Sequence, residues 1–212
     1  MKPILLVAAL CCAITAHAQQ TPTNSPKQDT SNTAIPNAPS SYKPLTAGGK
    51  LKVAALDAVN PVRILGAAAS AGIAQASDPY PEWGDGGEGY AKRFGAAVAD
   101  EASGHIFKGF VFPSLLHTDP RYFRKEHGSF GGRVVYAATR IFVTRTDHGG
   151  RTFNASEYLG AASAAALSNT YYPHSASSTK DAISRAGLGV ASDAAWNVFK
   201  EFWPDIKHKL FH

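Results

Sequence analysis

NPVRILGAAASAGIAQASDP, residues 60–79, is the stretch whose reading decides the fold. Asn60 is a helix N-cap, because its side-chain oxygen can accept a backbone N–H that the first turn leaves unpaired. Pro61 then takes the first helical position, where its missing N–H costs nothing. Asp78-Pro79 ends the segment, since proline disfavours helical backbone at the residue before it. Between these signals lie small and aliphatic residues with a single charge, Arg63, so this helix must be covered by others.

Punctuation of the same kind recurs on both sides. After the Gly- and Pro-rich loop SDPYPEWGDGGEG (77–89), a helix is expected from about Tyr90 to Phe112, ended by Pro113. NASEYLGAASAAALSNTYYP (154–173) opens at Asn154 with Glu157 at the third position, as in a capping box, and ends before Pro173. STKDAISRAGLGVASDAAWNVFKEFWP (178–204) opens near Ser178 with Asp181 at the third position and stops at Pro204. Residues 131–150, GGRVVYAATRIFVTRTDHGG, carry β-branched residues that suit a strand. Val134, Ala138, Ile141 and Arg145 fall at helical spacing, however, and no two-residue alternation is present, which favours helix. The expected fold class is mainly α: a compact multi-helix bundle rich in Ala and Gly, preceded by a disordered N-terminal tether.

The start of the 212-residue chain, MKPILLVAALCCAITAHAQQ, reads as a signal peptide. Lys2 supplies positive charge, Ile4 to Ile14 an apolar run, and Ala16-His17-Ala18 a small-x-small cleavage site, giving residues 1–18 as the signal. The alanines three residues upstream of Cys11 and Cys12 fit a lipobox poorly. Both cysteines leave with the signal, which excludes disulfides, thiolate catalysis and cysteine-based zinc sites from the exported chain. Residues 19–49, rich in Thr, Ser, Asn, Gln and Pro, cannot bury enough apolar surface to offset ordering and are read as a linker. Residues 50–212 form the single helical domain. Without Lys2 the chain has 20 basic and 16 acidic residues, a net +4. That charge is too small and too dispersed for nucleic acid, which is not expected as a partner.

Small residues recur every four positions on four segments: Gly66-Ser70-Ala74, Gly95-Ala99-Ser103, Gly160-Ala164-Ser168 and Gly187-Ala191-Ala195. Such stripes let helix backbones approach closely, inside membranes or in an ordinary core. No segment offers the run of about 18 apolar residues that a membrane span needs.

Three polar clusters supply the candidate site. LLHTDPRYFRKEHG (115–128) reads first as a turn built on Asp119-Pro120. As a site, His117 and Asp119 are candidate catalytic residues, and Arg121, Tyr122 and Arg124 candidate binding residues for an anion. DEASGHIFK (100–108) puts Glu101 and His105 four apart on one helix face, a surface pair or a His-carboxylate dyad. TRTDHGGRTFN (144–154) adds Arg145, Asp147 and His148 to the candidate binding set, with Arg140 just upstream. No metal site and no cofactor are expected, because the chain lacks HExxH and any comparable ligand pair. Trp196, Phe199, Phe202 and Trp203 lie on adjoining helical turns and read as core.

FVFPSLLHTDPRYFRK, AATRIFVTRTD, FNASEYLGAASAAALSNTYYP and NVFKEFWPDIKHKLF together resemble a family of exported bacterial proteins without an assigned activity. The resemblance covers about residues 90–211, implies that these segments form one module, and assigns no catalytic residue. The functional expectation is an exported periplasmic or outer-membrane-associated protein with a structural or binding role. Its expected partners are a membrane or envelope component or a second copy of the chain. Two alternatives stand beside it: a cofactor-independent hydrolase acting on an anionic substrate through a His/Asp/Arg site, and a helical membrane-embedded protein.

Overall fold

The structure, a computed structural model, describes residues 42–211. The signal segment and most of the expected tether lie outside the described residues. Six helices dominate: α1 (Ala47–Ala58), α2 (Pro61–Ser77), α3 (Gly86–Ile106), α4 (Phe130–Ala138), α5 (Ala155–Ser168) and α6 (Thr179–Phe211). A small antiparallel sheet accompanies them, ordered β1 (Thr118–Asp119), β2 (Val143–Thr146), β3 (Arg151–Phe153), with Thr118 opposite Thr146 and Val143 opposite Phe153. The protein is a mainly α bundle with a hairpin laid against it.

The local signals act as their chemistry dictates. Asn60 accepts the Val62 N–H at 3.0 Å, and Asp78 ends α2 in the left-handed conformation with its N–H on the Ala74 carbonyl. At α6 the Ser178 hydroxyl accepts the Asp181 N–H while the Asp181 carboxylate accepts the Ser178 N–H, a reciprocal cap.

The buried apolar residues are mostly alanines, including Ala54, Ala67, Ala71, Ala96, Ala137 and Ala161, while Glu201 and Asp119 are among the largest side chains with no exposure. Close backbone approach and buried polar networks therefore replace the usual large aliphatic core. Gly160 shows this at one contact: a Cβ there would lie 2.5 Å from Lys108 Cγ and 2.8 Å from Lys108 N, so only glycine lets α5 meet the segment after α3. Of the four small-residue stripes only Gly160-Ala164-Ser168 is buried throughout; Gly66, Gly95 and the whole of Gly187-Ala191-Ala195 face outward. Among the described residues no helix is long and apolar enough to cross a membrane.

Several expectations are corrected. Residues 42–49, expected within the linker, belong to the folded domain: the Tyr42 hydroxyl donates to Asp119 and to the Thr146 carbonyl, and Thr46 caps α1. Pro113 does not end its helix. A π turn, Phe107–Val111, widens the chain first, and Pro113 then falls at the start of a fresh turn, Phe112–Leu115, where it lacks nothing. Residues 131–150 are helical only through Ile141; the rest forms β2 and its turn, because pairing with β1 and β3 satisfies the backbone of Val143 to Thr146. Pro204 lies inside α6, where the helix turns its Glu201 carbonyl to Arg124 Nε and Arg133 Nη2, each at 2.9 Å. Asn154 caps α5 without a side-chain bond, so the expected capping box does not form and Glu157 is free for another use.

Candidate anion-binding cleft

Where α6, the hairpin, the N-terminus of α5 and the π turn converge, they enclose a cleft of about 980 Å³ measured out to its open mouth. Asp193, Trp196, Asn197 and Lys200 face it from α6 at positions i, i+3, i+4 and i+7, which one helical face presents together. Arg140, Arg145 and Arg151 line it from the hairpin side, Tyr122, Phe123 and Tyr136 from the neighbouring loop and α4, and Arg63 from α2.

One end is electrically compensated. Lys108, carried by the π turn, makes an ion pair with Asp193 and stands 3.8 Å from Glu157. Arg63 bridges Asp193 at 3.3 Å and Glu101 at 3.0 Å, and His105 Nε2 lies 3.3 Å from Glu101. Burial pushes the Glu157 carboxyl up to about 8; Lys108 opposes that, while the charge of Asp193 and a hydrogen bond to it add to it. Burial also works against Asp193, yet the Lys108 ammonium holds it well below the ordinary carboxylate range. Near neutral pH Asp193 is therefore the ionised member of the pair and Glu157 the protonated one.

The other end is rich in positive charge, with Asp57 also in the lining. Arg140 and Lys200 make no ion pair among the described residues; each lies over an aromatic ring instead, Arg140 at 4.4 Å from the Tyr136 centroid and Lys200 at 5.3 Å from that of Tyr122. Arg145 sits 4.6 Å from the Phe123 centroid, and Arg63 4.6 Å from that of Trp196. Burial lowers the Arg140 pKa, and nearby Arg151 and Arg145 lower it further. The Lys200 ammonium is likewise lowered by burial, with Arg63 adding to it and Asp57 opposing. Three buried donors that line the cleft, Arg63 Nε, Arg140 Nε and Trp196 Nε1, have no acceptor among the described residues.

The expected site residues divide between these features. Glu101 and His105 pair on α3 and join the compensated end through Arg63, and Arg140 and Arg145 belong to the cationic wall. His117 is not part of the cleft: its side chain is 78% exposed, its backbone is left-handed at φ 51°, and its ring stands 4.0 Å from Asp147. Asp119 touches the cleft, but its oxygens are already engaged: they accept from Arg121 N and Nε, both at 3.0 Å, from Arg121 Nη2 at 2.6 Å and from Tyr42. The His117–Asp119 dyad is therefore not assembled.

Tyr122 donates to Glu201 at 2.8 Å, and Arg124 holds Asp205 at 2.9 Å and the Glu201 carbonyl. Glu201 also accepts from Lys125 N, Glu126 N and Arg133 Nε, so this buried carboxylate ties the 122–126 loop and α4 to α6. Asp147 is paired with the buried Lys50 at 2.7 Å, and His148 is exposed outside the cleft. Glu157, Asp193, Asn197 and Lys200 escaped the sequence reading as site residues. The legible signal for the last three was a polar stripe at i, i+4 and i+7 running beside the aromatic one.

Among the described residues no three His, Cys, Asp or Glu side chains gather to hold a metal ion. Comparison with family models, with curated proteins and with solved structures gives no match.

Proposed function

We propose that this is an exported protein that binds an oxyanion, a phosphate or carboxylate group, in the cleft. Export follows from the reading of residues 1–18. Binding is carried by one observation: Arg140 and Lys200 line a concave, partly buried space and make no ion pair among the described residues, while neighbouring donors lack acceptors among those residues. Such an arrangement costs stability in the empty protein, and an anion with several acceptor oxygens removes that cost.

The geometry supports a division of labour. Arg140 lies over the Tyr136 ring, 4.4 Å from its centroid, and a guanidinium carries N–H donors that two oxygens of one anion can accept together. Lys200 supplies a point charge from α6. Because no side chain depends on Arg140 for charge balance, its removal separates binding from folding. Isothermal titration of the purified chain with inorganic phosphate should show binding that weakens with salt. Arg140→Gln should weaken it by about tenfold or more, the effect of a lost charge-assisted bond. The same substitution should leave unfolding stability unchanged or raised. Equal phosphate affinity in the parent and in Arg140→Gln would sink the assignment. For export, fractionation of expressing cells should place the processed chain beyond the inner membrane; recovery of the uncleaved chain in the cytoplasm would remove that part.

A further inference from the structure

The two ends of the cleft are separated along α6. Asp193 and Lys200 stand seven residues apart, roughly 10 Å at the rise of an α-helix. An inorganic anion held by Arg140 and Lys200 leaves the part of the cleft toward Asp193 without a ligand. That part has a definite chemistry: among the described residues Arg63 Nε and Trp196 Nε1 are buried donors without acceptors, and Glu157 Oε1 is a buried oxygen without a hydrogen-bond partner. Asn154 and Asn197, each both donor and acceptor, line the same space.

Resting on the oxyanion reading above, we propose that the ligand is an anionic sugar: its phosphate or carboxylate sits at Arg140 and Lys200, and its hydroxyl groups meet Trp196, Asn197, Arg63 and Glu157. A hydroxyl donates and accepts at once, which matches a lining that presents unmet donors and an unmet oxygen side by side. The competing chemistries fit less well. An aliphatic body would leave Arg63 Nε and Trp196 Nε1 buried without acceptors. A ligand ammonium would face Arg63, Arg140 and Lys200 across the lining, and Asp193 already holds Lys108 and Arg63. A second anion would face the Asp193 carboxylate. A flat aromatic body would compete with cations for the lining rings, since Trp196, Phe123, Tyr136 and Tyr122 each carry a cation over one face.

The test is isothermal titration of the full chain with inorganic phosphate, glucose 6-phosphate, glucuronate and glucose. Glucose 6-phosphate or glucuronate should bind about tenfold or more tighter than phosphate, the gain from one or two added neutral hydrogen bonds. Glucose alone should bind far more weakly than either, and the preferred of the two sugar acids identifies the head group. Trp196→Phe keeps a ring and removes Nε1, so it should cost the sugar acid more affinity than it costs phosphate. Phosphate binding with no gain for either sugar acid would overturn the sugar assignment while leaving the oxyanion reading intact. No binding of any of the four would overturn both.

Discussion

Replacing Gly160 by alanine puts a methyl group where Lys108 already stands. The new Cβ would lie 2.5 Å from Lys108 Cγ, 2.8 Å from its backbone N and 2.9 Å from its Cα. The far end of a flexible side chain could swing aside, but the backbone of the π turn cannot, so α5 and the turn must part. Overpacking against backbone, which has nowhere to swing, falls in the upper part of the usual range, about 2–3 kcal/mol. Alanine's better helix propensity offsets about 1 kcal/mol of that, leaving a net loss of about 1–2 kcal/mol. Gly187 on α6 provides the control: an added Cβ there has nothing within 4 Å, so Gly187→Ala should stabilise by about 0.5–1 kcal/mol. The same chemical change in two helices thus has opposite signs, set only by what stands opposite. Urea unfolding followed by circular dichroism should lower the midpoint for Gly160→Ala and raise it for Gly187→Ala at unchanged slope. A Gly160→Ala chain as stable as its parent would refute the close contact of α5 with the π turn.

Two further expectations follow from the buried polar groups. Glu157, raised from 4.5 to about 8 by burial and by Asp193 despite Lys108, gives stability that is complete below about pH 4.5 and lost as pH rises through about 8. Glu157→Gln should flatten that fall by at most about 1.4 kcal/mol per pH unit, and identical stability–pH slopes for the two chains would show that Glu157 does not carry the proton. Asp119→Ala strands Arg121 and Tyr42 and should cost about 3–5 kcal/mol, whereas exposed His117→Asn should change stability by no more than about 0.5 kcal/mol. Similar unfolding midpoints for the two variants would contradict the assignment of Asp119 to the scaffold.

The candidate site was only partly legible in the sequence. Arg140 and Arg145 were singled out as anion ligands, and both line the cleft. His117 and Asp119 looked like a dyad because they are two residues apart. The left-handed backbone at His117 turns its side chain to solvent, while β1 carries Asp119 inward to Arg121 and Tyr42. Glu157 looked like half of a capping box. Its use in the cleft depends on Asp193 and Lys108, which are distant in sequence and meet it only when α5, α6 and the π turn pack.

Sequence alone determined the elements whose hydrogen bonds are local. Asn60 reaches Val62, and Ser178 and Asp181 reach each other, across two or three residues, and those contacts form with little help from the rest of the chain. The mainly α class follows from them. Tertiary structure decided what local chemistry leaves open. β2 is a strand because β1 and β3 flank it, and α6 continues past Pro204 with Asp205, the next residue, held by Arg124 and Arg133. Glu157 holds its proton because packing buries it beside Asp193. The physical reason is common to all three: desolvation and long-range pairing depend on which segments meet, and a linear pattern of residue types does not contain that information.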